Sequence, residues 1–118
     1  MHAVKLSSTN QANKQGILMQ CPVTHTLEAI GARWKPQILW ELNDGDKRYG
    51  ELKRKLVTIT EKVLIEKLKS LEADGLIIRE SLPTVPPHVT YRLTEKGKSL
   101  GPILKAMAQW GLKSIAAK

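Results

Sequence analysis

The sequence predicts a mainly α-helical domain with one small β-hairpin, and three observations predict it. Apolar residues recur at helical spacing in successive segments from Cys21 onward, the pattern changes to alternation between Leu76 and Leu93, and a proline-rich run interrupts that alternation midway. A length of 118 residues suits a single hydrophobic core and is too short for two.

Residues 1–20 read as an N-terminal arm. Residues 1–16 are polar except for Ala3, Val4 and Leu6 as early apolar anchors, and are expected to be mobile; residues 21–118 form the folded domain. Pro22 suits the first turn of a helix that puts Val23, Leu27 and Ile30 at helical spacing and that Gly31 ends. A second helix runs from Lys35 or Pro36 to Asn43 and buries Ile38, Leu39 and Leu42, before a turn at Asn43-Asp44-Gly45. After Lys47-Arg48-Tyr49, a third helix of about two turns points Leu52 and Leu56 inward and leaves Lys53, Arg54 and Lys55 outward or flanking. Thr58 and Glu61 have capping-box spacing, so a fourth helix starts within a residue or two of Thr60. Leu64, Leu68 and Leu71 form its core stripe, and Asp74-Gly75 closes it.

Leu76 to Leu82 and Val89 to Leu93 then read as antiparallel strands, joined by a stiff tip from Pro83 to His88. Thr94 can cap a last helix, on which Leu100, Ile103, Leu104, Met107, Trp110 and Ile115 recur at helical spacing. Helix, turn, helix and then a β-hairpin is the order of a winged helix-turn-helix.

The chain carries 19 Lys and Arg against 11 Asp and Glu, a formal net charge of +8. Such a surface attracts polyanions, with nucleic acid the first candidate and an anionic membrane surface the second; the alternative is a merely soluble basic protein. Distribution favours nucleic acid. Lys47, Arg48, Lys53, Arg54, Lys55, Lys62, Lys67 and Lys69 face only Glu51, Glu61 and Glu66 in the presumed helix-turn-helix, a net +5. No window approaches the ~18 apolar residues of a membrane span, and the first twenty residues lack a signal-peptide core, so a cytoplasmic protein without membrane contact is expected. Trp34, Trp40 and Trp110 each sit in or beside an apolar helical pattern and are expected to pack in the core or an interface. With no Phe and two Tyr, a stacking platform for single strands lacks material, and duplex DNA fits better. There is no glycine-rich phosphate loop, nucleophile elbow or paired carboxylate set, so neither an enzyme nor a cofactor is expected.

Four motifs in order, CPVTHTLEAIGARWKPQILWEL, KRYGELKRKL, LEADGLIIRE and VPPHVTYRLTEKGKSL, resemble the HxlR-type regulators, relatives of the MarR regulators, over roughly residues 21 to 111. The resemblance implies a dimeric bacterial or archaeal transcription factor, with the last helix and the N-terminal segment pairing two subunits. Leu100, Ile103, Leu104, Met107 and Trp110 are the expected dimer contacts; the alternative is a helix folded back on its own core. A homodimer would present two reading helices to successive major grooves of a pseudo-palindromic operator.

On the fourth helix, Lys62, Glu66, Lys69 and Ala73 lie opposite the leucine stripe, with Ile65 at the edge. Lysines and the helix start at Thr60 suit phosphate and base contacts, Ile65 suits a thymine methyl, and Glu66 suits a cytosine amine. The competing reading is a solvated charged face. Lys53, Arg54 and Lys55 support from the third helix, while Arg79, Arg92 and His88 supply wing contacts to backbone or minor groove. The family often has arginine where this sequence has His88. These residues lead to a sequence-specific duplex-DNA-binding regulator, a repressor because occlusion of a promoter suffices. The rival is a winged-helix interaction module docking an acidic partner.

Cys21, the only cysteine, precedes Pro22 at a helix start, where the helix dipole favours the thiolate. His25 lies one turn on and could assist as an imidazolium. Some HxlR-type regulators sense oxidants or electrophiles through a cysteine at the corresponding Cys-Pro position, so Cys21 is a candidate redox sensor; the inert alternative is a small buried hydrophobe. A small-molecule effector is also compatible with this reading. Too few ligands accompany Cys21 and His25 for a metal site, and none is expected.

Overall fold

The structure is a computed structural model and describes residues 21–117. The expected arm at residues 1–20 lies outside the described residues. The chain divides into two units, Met1–Gly31 and Ala32–Lys118. In the first, helix α1 spans Pro22–Ile30, with Cys21 at its N-cap and Pro22 in its first turn, where a missing N–H costs nothing. Gly31 closes it by donating its N–H to the Leu27 carbonyl. Val23 and Leu27 are exposed, and Ile30 is the buried residue of this helix.

The second unit runs α2 (Lys35–Asn43), β1 (Lys47–Arg48), α3 (Tyr49–Lys55), α4 (Glu61–Ala73), β2 (Ile77–Leu82), β3 (His88–Leu93), α5 (Glu95–Lys98) and α6 (Gly101–Ala116). Its core is the set expected from periodicity: Ile38, Leu39 and Leu42 from α2, Leu52 and Leu56 around α3, and Leu64, Leu68 and Leu71 from α4, all buried. Leu76, Ile77, Tyr91 and Leu93 close it from the sheet, and Leu104 from α6. At the start of α2, Trp34 takes a left-handed conformation (φ 81°) and donates its backbone N–H to the Gln37 carboxamide at 2.9 Å. The Arg33 guanidinium lies 4.7 Å from the Trp34 ring centroid, within cation–π range.

Several expectations need correction. Lys47-Arg48 is a third strand, not a bare connector: it pairs antiparallel with Tyr91 and Thr90, giving the sheet order β1-β3-β2. The N-cap of α4 is Thr60, whose hydroxyl accepts from the Val63 N–H at 3.2 Å, and Thr58 stays in the turn. Ile59, buried between the two threonines, pins the chain so that Thr60 falls at the helix entrance. The last helix is two helices. Thr94 caps only the short α5, and α6 begins afresh at Gly101-Pro102, because a proline inside a continuous helix would remove a hydrogen bond and clash with the preceding turn. Leu100 therefore stands at the N-cap of α6. Leu104 is 4 % exposed and belongs to the chain's own core. Of the two settings expected for the tryptophans, exposure excludes the core for Trp40 and Trp110 and leaves an interface; Trp34, Trp40, Leu104 and Met107 border an apolar hollow of about 610 Å³.

Thr94 joins three elements. Its hydroxyl donates to the Gly75 carbonyl at 2.6 Å and accepts from the Gly97 N–H at 3.0 Å, while its own N–H donates to the Leu76 carbonyl at 3.0 Å. The end of α4, the base of the hairpin and α5 are thereby held together.

Candidate nucleic-acid interface

Helix α3 starts where the Arg48 backbone N–H donates to the Glu51 carboxylate at 2.8 Å. That bond, helped by the nearby charges of Lys47, Arg48 and Arg54, holds the Glu51 carboxyl below the usual glutamate range. With Leu52 buried, Arg54 and Lys55 are exposed and Lys53 is half-buried. Lys47 is committed elsewhere: its ammonium donates to the carbonyls of Glu41 at 3.1 Å and Gly45 at 3.2 Å, closing the end of α2.

The turn from Leu56 to Thr60 delivers α4 with its leucine stripe in the core. The opposite face is free: Lys62, Glu66, Lys69 and Ala73 are exposed, and Ile65 keeps 40 % of its surface. Thr60, exposed at the entrance, already spends a lone pair on the cap. Two lysines two turns apart, with Ile65 and Glu66 between them, leave this face with a net positive charge and an aliphatic edge.

The hairpin stands beside this helix, with Arg79 opposite Tyr91 and Leu82 opposite His88. A groove of about 500 Å³ separates wing from helix, bordered by Ile65, Lys69 and Glu72 on α4 and by Arg79, His88 and Val89 on the wing. Arg79 thus shares a groove with the exposed face of α4. Arg92 does not: the pleat turns it to the other sheet face, where it pairs loosely with Glu80 at 3.8 Å. His88 opens β3, so the tip proper is Pro83–Pro87.

Two groove residues escaped the sequence reading. Glu72 lies one turn beyond Lys69 and offsets part of the positive charge. Tyr49, at the start of α3, has its hydroxyl oxygen out of solvent and without a hydrogen-bond partner among the described residues. Burial pushes its phenol up, with Glu61 and Tyr91 adding to the effect. Nothing in the charged setting of KRYGEL signals that this tyrosine turns inward.

Cys21 is exposed, which removes the buried-hydrophobe reading. Its thiol is held below the usual cysteine range by the backbone N–H groups of Thr24, first, and Val23. No cap hydrogen bond closes on the sulfur, so the cause is the attraction of nearby N–H dipoles at the helix start. His25 does not contribute to that shift. Among the described residues no group of three or more His, Cys, Asp or Glu side chains could hold a metal, and no helix is long and apolar enough to cross a membrane.

Residues 29–118 match the HxlR-like helix-turn-helix family. A protein of Fusobacterium mortiferum named as a regulatory protein, MalR, is 53 % identical over 93 residues, covering 78 % of this chain and 88 % of its own. The solved redox regulator HypR in its oxidized form is 44 % identical with a TM-score of 0.76, covering 79 % of this chain and 96 % of its own. The reduced form of the transcriptional regulator YodB from B. subtilis is 38 % identical with a TM-score of 0.69, covering 78 % and 91 %.

Proposed function

As this chain belongs to the HxlR-like helix-turn-helix family and is a transcription regulator of helix-turn-helix type, we propose that it is a repressor that binds a pseudo-palindromic duplex operator as a homodimer. The observation that carries the reading is the exposed face of α4, where Lys62 and Lys69 stand opposite a fully buried leucine stripe with Ile65 at the edge. This face enters the major groove. Lys53, Arg54 and Lys55 hold the phosphates on one side and Arg79 on the other. Glu66 accepts from a cytosine amine, and the Thr60 entrance faces the backbone.

Dimerisation is supported by apolar surface that the protomer leaves uncovered. On α6, Ile103, Met107 and Trp110 share one face and remain 42 %, 48 % and 73 % exposed. A two-fold axis through paired terminal helices would set two α4 helices about 34 Å apart, one turn of DNA.

Oxidant or electrophile sensing through Cys21 is the second part of the proposal, favoured by its exposure and its lowered thiol pKa. One solved relative, HypR, is a redox regulator, in keeping with it.

The test is selection from random duplexes followed by footprinting, at several salt concentrations, with and without peroxide. A palindromic selected site whose affinity falls steeply with salt is expected. Failure to select any motif or form a footprint, with capture of an acidic protein instead, would replace the proposal with the interaction-module reading.

A further inference from the structure

The wing carries one side chain whose hydrogen-bonding sense is set by its neighbours. His88 opens β3 opposite Leu82, directly after the tip, and is half-buried. Its Nδ1 lies 3.0 Å from the Thr84 hydroxyl oxygen, and that oxygen lies 2.8 Å from the Pro86 carbonyl oxygen. A hydroxyl has one proton, and a carbonyl oxygen can only accept. Both contacts are satisfied together in one arrangement: the hydroxyl donates to Pro86, and Nδ1 carries a proton that it donates to the hydroxyl. The neutral ring then presents Nε2 as a bare acceptor, and Nε2 has no partner among the described residues.

The minor groove offers a bare acceptor few partners. A·T and T·A pairs show only acceptors there, and guanine alone adds a donor, its exocyclic amine. An arginine in the same place would have the opposite preference, seeking acceptors and the narrow groove of A·T runs. We propose that His88 is a specificity-determining residue of the wing, selecting a G·C pair through the guanine amine in the minor groove, with Thr84 as the positioning residue that fixes its tautomer. The proposal rests on the DNA-binding reading above. The partner is a base edge rather than a phosphate, because a lone pair is repelled by phosphate oxygen.

The test uses the full chain and its selected operator. At each minor-groove step under the wing, guanine is replaced by inosine, which removes the amine and leaves the major-groove edge unchanged, or adenine by 2,6-diaminopurine, which adds it. Wild type should lose about three- to tenfold in affinity on the inosine swap at one step, the worth of a single net hydrogen bond, and should gain on the reverse swap. His88→Ala should bind the paired duplexes alike, which also subtracts any effect of the swap on groove shape. Thr84→Val should keep the histidine yet lose most of the discrimination, while Thr84→Ser should retain it. Equal binding of guanine and inosine duplexes by wild type would overturn the proposal, as would undiminished discrimination in His88→Ala or Thr84→Val. Failure of the DNA-binding reading itself looks different: no duplex is selected and no footprint forms.

Discussion

Removing the Thr94 hydroxyl should loosen the joint between reading helix and wing. Thr94→Val keeps the side-chain shape and deletes two hydrogen bonds, the 2.6 Å bond to the Gly75 carbonyl and the 3.0 Å cap on the Gly97 N–H. The two losses differ in kind. Gly97 is buried, so its N–H goes unsatisfied, and loss of a threonine cap costs about 1 kcal/mol. Gly75 is exposed and its carbonyl regains water, so that bond contributes a further fraction, up to about 1 kcal/mol. A destabilisation of about 1 to 2 kcal/mol follows, with a fall of about 0.5 to 1 M in the urea midpoint at an ordinary m value. Thr94→Ser keeps the hydroxyl and should recover most of it. Urea unfolding followed by circular dichroism measures both variants under one protocol. A valine variant with the wild-type midpoint, or a serine variant as weak as valine, would refute the reasoning.

On α4, Lys62→Ala and Lys69→Ala should each weaken operator binding, by about 1 to 3 kcal/mol and at one position for a base contact, or evenly across sequences with a salt slope reduced by about 1 for a phosphate contact; wild-type affinity in both would move the interface elsewhere. Met107→Glu should shift sedimentation toward monomer and weaken palindromic sites, and an undisturbed dimer would place Met107 outside the interface. Glu51 has a depressed pKa, so its stabilisation is fully present above the ordinary glutamate value of about 4.3 and is lost as pH falls through its own lower value. The stability advantage of wild type over Glu51→Gln should therefore shrink on acidification through that window, and a difference independent of pH would contradict the cause assigned. Cys21 should alkylate faster at neutral pH than a thiol titrating near ~8.5, and Cys21→Ser should bind operator yet ignore peroxide; an ordinary rate–pH profile would remove the sensor.

The elements legible in the sequence are those whose side chains repeat. Three leucines on α4 declare both the core face and, by geometry, the free face, so Lys62 and Lys69 could be placed before any coordinates. A two-residue strand has no period, and β1 was invisible for that reason. The start of α4 was ambiguous because Thr58 and Thr60 can both cap. Burial of Ile59 decides between them, and burial is a tertiary fact. The break before α6 lies at Gly101-Pro102, a signal that an apolar stripe read from Leu100 to Ile115 passes over. Wing residues needed pairing register: Arg79 and Arg92 look equivalent as basic strand residues, and only the pleat puts one in the groove and the other against Glu80.

On the proposed reading, one α4 face of this size has little margin for finding a single site in a genome. The exposed set on α4 is Lys62, Ile65, Glu66 and Lys69, the residues proposed to meet the bases, with Glu72 partly cancelling charge nearby. At about 1 to 3 kcal/mol per matched base pair, three or four contacts give about 3 to 12 kcal/mol, and only the top of that range exceeds the ~8 kcal/mol that ~10⁶ competing sites demand. Pairing two faces on one two-fold axis roughly doubles the free energy of discrimination, while each mismatch still acts on its own half. In the proposed dimer the uncovered stripe on α6 is thus what raises the selectivity of the modest α4 surface. From this it follows that Met107→Glu should erode discrimination between operator and random duplex more than it erodes binding to random duplex, since non-specific attraction depends on the charge of each protomer and survives dissociation. Equal losses for operator and random duplex would mean that selectivity resides in the protomer, with the wing supplying what the second α4 was assigned.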